Sequence, residues 1–340
     1  MLGPLVGGEL TEALSWQWIF WVNVPLGLAL VPLAWRKLDE SRGPNDRLDV
    51  VGLVLASGGL LALVWGLIRA ERVGWTSSQT VAVLGAGAAA VGAFVAWERR
   101  TRQPMLPLRF FSNRRFAAAS ASLVLAYFGL FGSLFLIAQF LQTVLGYSAV
   151  GAGLGLLPAT GAMLVIVPIA GALSDRFGVR PLMATGLAVE AAGLLWLATF
   201  ASPSAGYAPV AVGLLLVGAG NAAFAAPVAI AALGAVRPIE QGQASGAMTA
   251  LRELAGVFGV AVLAAAFAGA GGLGSPAEFV SGYRVALWIA AAAVAGGAAA
   301  ALAQPASGSR RRSGATARAS ASSRKKSPQE VALSTALPTE

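Results

Sequence analysis

Long apolar stretches, separated by short polar or basic segments, cover most of the 340-residue chain. A helix needs about 20 predominantly apolar residues to cross the hydrocarbon core of a membrane. By that rule the pattern predicts nine full spans, and residues 1–14 are long enough for only part of a further helix. The nine predicted spans are 16–35, 50–68, 79–97, 116–142, 149–173, 181–200, 207–232, 243–269 and 283–303.

The composition agrees with a chain that lies mostly in lipid. Hydrophobic residues make up 57% of the chain and charged residues 11%, and the mean hydropathy is +0.72. A soluble domain carries about 25% charged residues, so this chain has too few to cover a surface that faces water. The predicted fold class is an all-α polytopic membrane protein, a helical bundle with nine full spans and a partial N-terminal helix.

The basic residues predict how the spans are oriented. They fall in short clusters between apolar stretches, which is typical of cytoplasmic loops and not of a nucleic-acid-binding face, so no nucleic-acid partner is expected. We therefore predict a multi-pass protein of the inner or plasma membrane, with these loops and the C-terminus in the cytoplasm. The clusters in alternate connections are formed by Arg36, Lys37, Arg42, Arg47, Arg99, Arg100, Arg102, Arg109, Arg114, Arg115, Arg176, Arg180 and Arg237.

Two residue types that serve much of enzyme chemistry are missing from the sequence, which has no His and no Cys. The usual general base, the commonest metal ligand and all thiol chemistry are thereby excluded. We predict that the chain is not an enzyme, has no catalytic residue, and holds neither a metal nor a cofactor.

A short segment between the fifth and sixth predicted spans reads GALSDRFGVRP. We expect it to form a cytoplasmic turn, in which Asp175 caps the next helix and Gly171 and Gly178 let helix ends approach closely. Arg176 and Arg180 would then face the membrane surface. An ordinary tight loop with arginines on the cytoplasmic side is the alternative.

The order Gly, Asp-Arg, Gly, Arg in this segment resembles the cytoplasmic-loop signature of the major facilitator superfamily, although Val179 stands where a further basic residue is usual. The opening GPLVGG, followed by SWQWIFWVNVPLG, is similar to the fifth-helix antiporter motif and the start of the sixth helix in the fourteen-helix drug:proton antiporters of that superfamily. A generic kinked helix is the alternative interpretation. The motif residues of the opening are Gly3, Pro4, Gly7 and Gly8.

Further stretches, such as QFLQTVLGYSAVGAGLGLLP and GQASGAMTALRELAGVFGVAV, resemble the same family in consistent order up to about residue 303. The resemblance implies that the chain starts at family helix five and lacks the first four helices. It also implies four regions. These are a remnant of the N-terminal bundle (1–35), two linker helices with cytoplasmic loops (36–115), a six-helix C-terminal bundle (116–303) and a disordered basic tail (304–340).

Family membership implies secondary active, proton-coupled efflux of hydrophobic or cationic drugs, here by a truncated member. The implied partners are small hydrophobic or cationic substrates, protons, the lipid bilayer, and a missing N-terminal half or another transporter. The first-helix acid and fourth-helix arginine that the family uses for proton coupling would lie in the absent part. The alternative is a non-transporting half-bundle that associates with or modulates a full-length transporter.

Polar residues inside spans are candidates for a cavity or a proton site. Glu190 is a candidate for proton exchange or for contact with a cation, and a neutral Glu hydrogen-bonded to a neighbouring helix is the alternative. Gln139 and Gln142, three residues apart, would line the cavity or join helices. Asn221 is a weaker candidate of the same kind.

One pair of adjacent charges also falls within a predicted span. Arg252 and Glu253 belong to the span 243–269. We expect them to reach the cytoplasmic end of that helix. A structural ion pair with a neighbour is favoured there over transport chemistry.

Overall fold

A computed structural model describes residues 9–10, 15, 17–37, 49–101, 104–204 and 206–305. Within these residues, nine helical segments are long and apolar enough to cross a membrane, so the predicted all-helical polytopic fold is confirmed. Gly3, Pro4, Gly7 and Gly8 of the opening motif, and the predicted tail beyond residue 305, lie outside the described residues. The long helices are α1 Asn23–Lys37, α2 Val50–Val73, α3 Ser78–Arg100, α4 Arg114–Thr143, α5 Leu157–Phe177, α6 Val179–Phe200, α7 Tyr207–Leu233, α8 Gln241–Ala270 and α9 Pro276–Leu302.

The ends of the spans differ from the predicted ends where local capping decides them. The last helix begins at Pro276, seven residues before the predicted start at 283, because Ser275 accepts a hydrogen bond from the Glu278 backbone N–H and caps the helix. Proline suits the first turn, where its missing N–H has no partner to lose. The predicted span 149–173 is a short helix, Ala149–Gly155, followed by α5.

Helix α4 lies at the centre of the packing, where it contacts α7, α8 and α9, while α6 packs against α7 and α9 and α5 packs against α7. Phe116, Phe140 and Leu187 are fully buried in this core. Helices α2 and α3 pack against each other, and α2 also contacts α8. The four-region division stays a prediction.

Two further short elements shape the ends of the bundle. The helix Arg109–Ser112 precedes α4, and the 3₁₀ turn Pro238–Glu240 precedes α8. The Asn113 side chain donates a hydrogen bond to the Ala235 carbonyl oxygen at 2.8 Å. The start of α4 and the α7–α8 connection therefore meet at one end of the bundle.

Candidate functional site

A buried polar pair joins α6 to α7. Glu190 and Asn221 are both 0% exposed, and the Asn221 Nδ2 donates a hydrogen bond to the Glu190 Oε2 at 3.4 Å. The other two side-chain oxygens, Glu190 Oε1 and Asn221 Oδ1, have no hydrogen-bond partner among the described residues. The contact is the interhelical hydrogen bond that the sequence offered as the alternative to proton exchange, and a role in proton exchange stays a prediction.

Glycine brings these two helices close enough for the pair to form. A Cβ atom at Gly220 would collide with the backbone nitrogen of Glu190 and the carbonyl oxygen of Gly186. Small residues let helix backbones approach closely in a membrane, where packing is a main source of association. Asn221 follows Gly220 directly, so the close approach of the two helices also brings the Asn221 amide within hydrogen-bond distance of Glu190.

The two glutamines of α4 differ in their surroundings. Gln139 is half-buried, whereas Gln142 is exposed and its Nε2 donates to the Ala138 carbonyl oxygen of its own helix at 3.2 Å. That bond does not join Gln142 to another helix. The lining role of both residues stays a prediction.

The segment GALSDRFGVRP forms less of a turn than the sequence suggested. Asp175 lies within the last turn of α5, and Gly178 alone separates α5 from α6. The expectation that Asp175 caps the next helix is wrong, because Gly178 occupies the N-cap position and no side chain caps α6. The reversal is completed in one residue because Gly178 has φ +86°, a left-handed conformation that glycine adopts without strain.

The other residues of this segment lie around that reversal. A Cβ atom at Gly171 would meet only open space, so the close approach expected there is not formed among the described residues. The Arg176 guanidinium carbon lies 5.4 Å from the ring centroid of the exposed Phe177, and Arg180 is half-buried in the first turn of α6. The transport role of Gly171, Asp175, Arg176, Gly178 and Arg180 stays a prediction.

A cavity of about 140 Å³ lies between α4, α7 and α8. Helix α4 contributes Tyr127, α7 contributes small apolar side chains, and α8 contributes Ser245, Met248, Thr249 and Arg252. Of these α8 residues, only Met248 is buried. The sequence contained a signal for this site, because positions 245, 248, 249 and 252 repeat at the spacing of one helix face.

Arg252 and Glu253 form the expected ion pair, with 2.8 Å between Arg252 Nη2 and Glu253 Oε1. Their expected position at the cytoplasmic end of the helix stays a prediction. Arg252 is the twelfth residue of α8, counted from Gln241, and a rise of 1.5 Å per residue places it about 16 Å along the helix. Its guanidinium carbon lies 5.8 Å from the ring centroid of Tyr127.

A second carboxylate lies where α4 and α8 begin. The Glu240 side chain is 6% exposed and pairs with two mostly exposed arginines, Arg109 and Arg237. Arg237 donates from Nη2 to Glu240 Oε1 at 2.7 Å and from Nε to Oε2 at 3.0 Å, and Glu240 thereby raises the pKa of Arg237. Arg109 also donates to Oε1. Sequence reasoning missed this cluster, because Arg109 and Glu240 are 131 residues apart.

No group of three or more Asp or Glu side chains that could hold a metal ion occurs among the residues that the structure describes. The cavity between α4, α7 and α8 combines a mostly apolar lining with a few polar side chains.

Comparison with known proteins agrees with this geometry. Residues 119–337 match the family described as Major Facilitator Superfamily. The chain is 36% identical over 267 residues to the multidrug resistance protein Stp of Mycobacterium tuberculosis, covering 78% of the chain and 49% of Stp. It is 34% identical to the tetracenomycin C resistance and export protein of Streptomyces glaucescens, covering 77% of the chain and 49% of that protein.

A third relative is the multidrug export protein EmrB of Escherichia coli K12, which is 31% identical over 76% of the chain and 51% of EmrB. The helices and these similarities define a multi-pass helical membrane protein. The chain belongs to the Major Facilitator Superfamily, and the relatives named here are proteins of multidrug resistance and export, which is consistent with the drug:proton antiporter family. The chain spans about half the length of the curated relatives it matches.

Proposed function

We propose that the chain contributes a six-helix bundle to a proton-coupled exporter of small hydrophobic or cationic compounds. The observation that carries this proposal is the similarity, over about three quarters of the chain, to proteins named for multidrug resistance and for export. Those names also support a protein that is not an enzyme. Transport would proceed by alternating access, in which one bundle rocks against another around a central site.

The proposal assigns 116–303 to the bundle and 36–115 to two linker helices. The packing supports this division, because α4 to α9 contact one another extensively while α2 and α3 pair with each other. Residues 1–35 would belong to the other bundle. None of the described side chains of α1 is buried, which is compatible with a partner surface outside the described residues.

The cavity between α4, α7 and α8 is the part of the pathway that the chain itself offers. Its lining is mostly apolar, which supports hydrophobic compounds as substrates. The cationic part of the substrate class rests on the family resemblance, because the described lining contains no Asp or Glu.

Transport is tested in a bacterium that lacks its own drug pumps. Cells produce the full chain alone, or together with the N-terminal half of EmrB, and the accumulation of the cationic dye ethidium is followed. The proposal expects that cells with the chain accumulate less ethidium than cells without it, and that a protonophore abolishes this difference. A matched Asp175→Asn variant produced at the same level should lower the accumulation only a little. Equal accumulation with and without the chain, in both arrangements, would overturn it.

Orientation is a separate part of the proposal, with the basic loops and C-terminus in the cytoplasm. The chain has no Cys, so single cysteines can be labelled without background. Ser112→Cys lies at the basic end and Ser204→Cys at the opposite end, and both serines are exposed. A maleimide that does not cross membranes should label Ser204→Cys in intact cells and Ser112→Cys only after lysis. The reverse pattern would invert the orientation.

A half-bundle that modulates a full-length transporter is the second candidate. The observation in its favour is that α1 has no buried side chain among the described residues and so offers an apolar surface to another membrane protein. In that case the chain extrudes no dye in either arrangement, but a tagged chain copurifies with full-length EmrB and changes the rate at which EmrB exports its substrates. Copurification without a change in that rate would contradict modulation.

A further inference from the structure

The polar stripe of α8 consists of Ser245, Met248, Thr249 and Arg252. Met248, Thr249 and Arg252 follow Ser245 by three, four and seven positions, so the four residues share one face of the helix. The stripe faces the cavity between α4, α7 and α8, and Tyr127 of α4 lies on the opposite wall. The Met248 side chain is held in place from α4, because Ser120 Oγ donates a hydrogen bond to Met248 Sδ at 3.5 Å.

The position of Arg252 argues against contact with lipid. It lies about 16 Å along α8, well inside a helix of 30 residues that is about 45 Å long. A charged side chain within a membrane-spanning helix is costly in lipid and almost always faces a bundle interior or a water-filled cavity. Arg252 is half-buried and lines the cavity, as this rule requires.

The charge of the cavity comes from this guanidinium. Glu253 binds the Nε and Nη2 of Arg252 through a single oxygen, and Glu253 is not part of the cavity lining. A guanidinium has five N–H donors in a planar fork, so further donors remain for a second acceptor. The hydroxyls of Ser245 and Thr249 supply additional donors on the same face.

The opposite wall favours an aromatic compound. The Tyr127 ring lies beside the guanidinium and 5.8 Å from the ring of Phe131, in a tilted arrangement. Aromatic rings pair favourably at such centroid distances, so the ring of a ligand could pack against Tyr127 in the same way. The flexible side chain of Met248 adapts to the shape of that ring.

We propose that this cavity binds aromatic acids, with the acidic group on Arg252 and the ring against Tyr127 and Met248. This inference deepens the proposed function and rests on it, because export is the reason why a compound would enter the cavity. Within the hydrophobic part of the proposed substrate class, it selects compounds whose aromatic body carries a carboxylate, sulfonate or phenolate.

The experiment measures binding to the purified full chain in lipid nanodiscs by equilibrium dialysis. The two probes are 2-naphthoate and 2-naphthamide, which share a ring system and differ in charge. A charge-assisted hydrogen bond contributes roughly ten- to a hundredfold in affinity, so naphthoate should bind at least about tenfold more tightly. Arg252→Gln should abolish that preference, and Arg252→Lys should retain part of it, because the charge remains without the fork.

Matched controls separate this effect from misfolding and from general electrostatics. Arg114→Gln removes an exposed arginine at the start of α4, outside the cavity, and should keep the preference for naphthoate. Tyr127→Leu should weaken both probes by a similar factor, because it removes the ring contact and leaves the guanidinium. Helical circular dichroism during heating identifies any variant that fails to fold.

The proposal is overturned if the unchanged chain binds both probes equally or neither, or if Arg252→Gln keeps the preference for naphthoate. Because dialysis needs no proton gradient, this result is independent of transport. A preference for naphthoate in a chain that exports no compound would overturn the proposed function alone. Dye export by a chain without that preference would overturn the cavity assignment alone.

Discussion

Glu190 and Glu240 are two of the buried carboxylates among the described residues, and their surroundings differ in almost every respect. Glu190 is enclosed between α6 and α7 and meets an amide, Asn221, with two side-chain oxygens left without described partners. Glu240 lies at the end of the bundle and meets two guanidinium groups, Arg109 and Arg237. Both side chains are almost inaccessible, so burial alone does not explain the choice of partner.

The difference follows from what each position offers to a charge. At Glu240 the arginines reach solvent, so the ion pairs keep much of their hydration. At Glu190 no cation is within hydrogen-bond distance among the described residues, and an unpaired buried charge is very costly. The interior pair is therefore best understood as a neutral acid beside an amide, held by close backbone packing. The outer cluster is held by charge.

The largest effect is expected from breaking that close packing. Gly220→Ala places a Cβ against the Glu190 backbone, so α6 and α7 must separate. Overpacking of this kind costs about 1–3 kcal/mol of the free energy of unfolding, and more where backbone is struck. Thermal inactivation of the purified chain measures the loss. The matched control, Gly171→Ala, points into open space and should change little. Equal losses in both variants would contradict the packing argument.

Removing the amide should have the next largest effect. Asn221→Leu leaves Glu190 without its described hydrogen-bond partner, at a cost of about 1–3 kcal/mol for the unsatisfied group. The double variant Glu190→Leu with Asn221→Leu should recover part of that loss, because both polar groups then leave the interface together. Denaturant titration in detergent measures both. If the double variant loses more free energy of unfolding than the two single variants lose together, the hydrogen bond between the two residues is not the whole of their contribution.

Salt should distinguish the outer cluster from the inner pair. Glu240→Gln removes the negative charge that two exposed arginines share, and surface ion pairs contribute little, so a decrease in Tm of about 2 °C is expected. High salt screens the ion pairs of the unchanged chain and should shrink the difference between the two proteins. The effect of Asn221→Leu should not change with salt. A salt-independent effect of Glu240→Gln would remove the contrast between the two sites.

The fold was predictable because membranes impose one dominant rule on sequence. All nine spans could be located from apolar length, and the family from short motifs such as GALSDRFGVRP. Helix ends were less predictable, since they depend on single caps such as Ser275 and on single conformations such as that of Gly178.

The candidate site was predictable only in part. Polar residues inside spans identified Glu190 and Asn221, but not that Gly220 brings them together, because contacts between helices are not written in local patterns. The polar stripe of α8 carried a helical period that could have been found. The link from Arg109 to Glu240 had no local signal at all.

The smallest effect is expected from Glu190→Gln, and it tests the comparison most directly. If Glu190 is neutral, its carboxyl group carries a proton and gains a donor that a carboxylate lacks, and no unpaired charge is buried beside Asn221. The amide of glutamine has the same shape and also offers an N–H at that place. The free energy of unfolding should then change by less than about 1 kcal/mol.

Denaturant titration measures this change, and infrared spectroscopy should show, in the unchanged chain, a protonated carboxyl band that the variant lacks. A carboxylate that is charged would behave differently. Its replacement by an amide would remove a strong interaction with a cation, and a loss as large as that of Asn221→Leu would result. Such a loss would place a cation near Glu190 from outside the described residues, and the interior site would then resemble the Glu240 cluster.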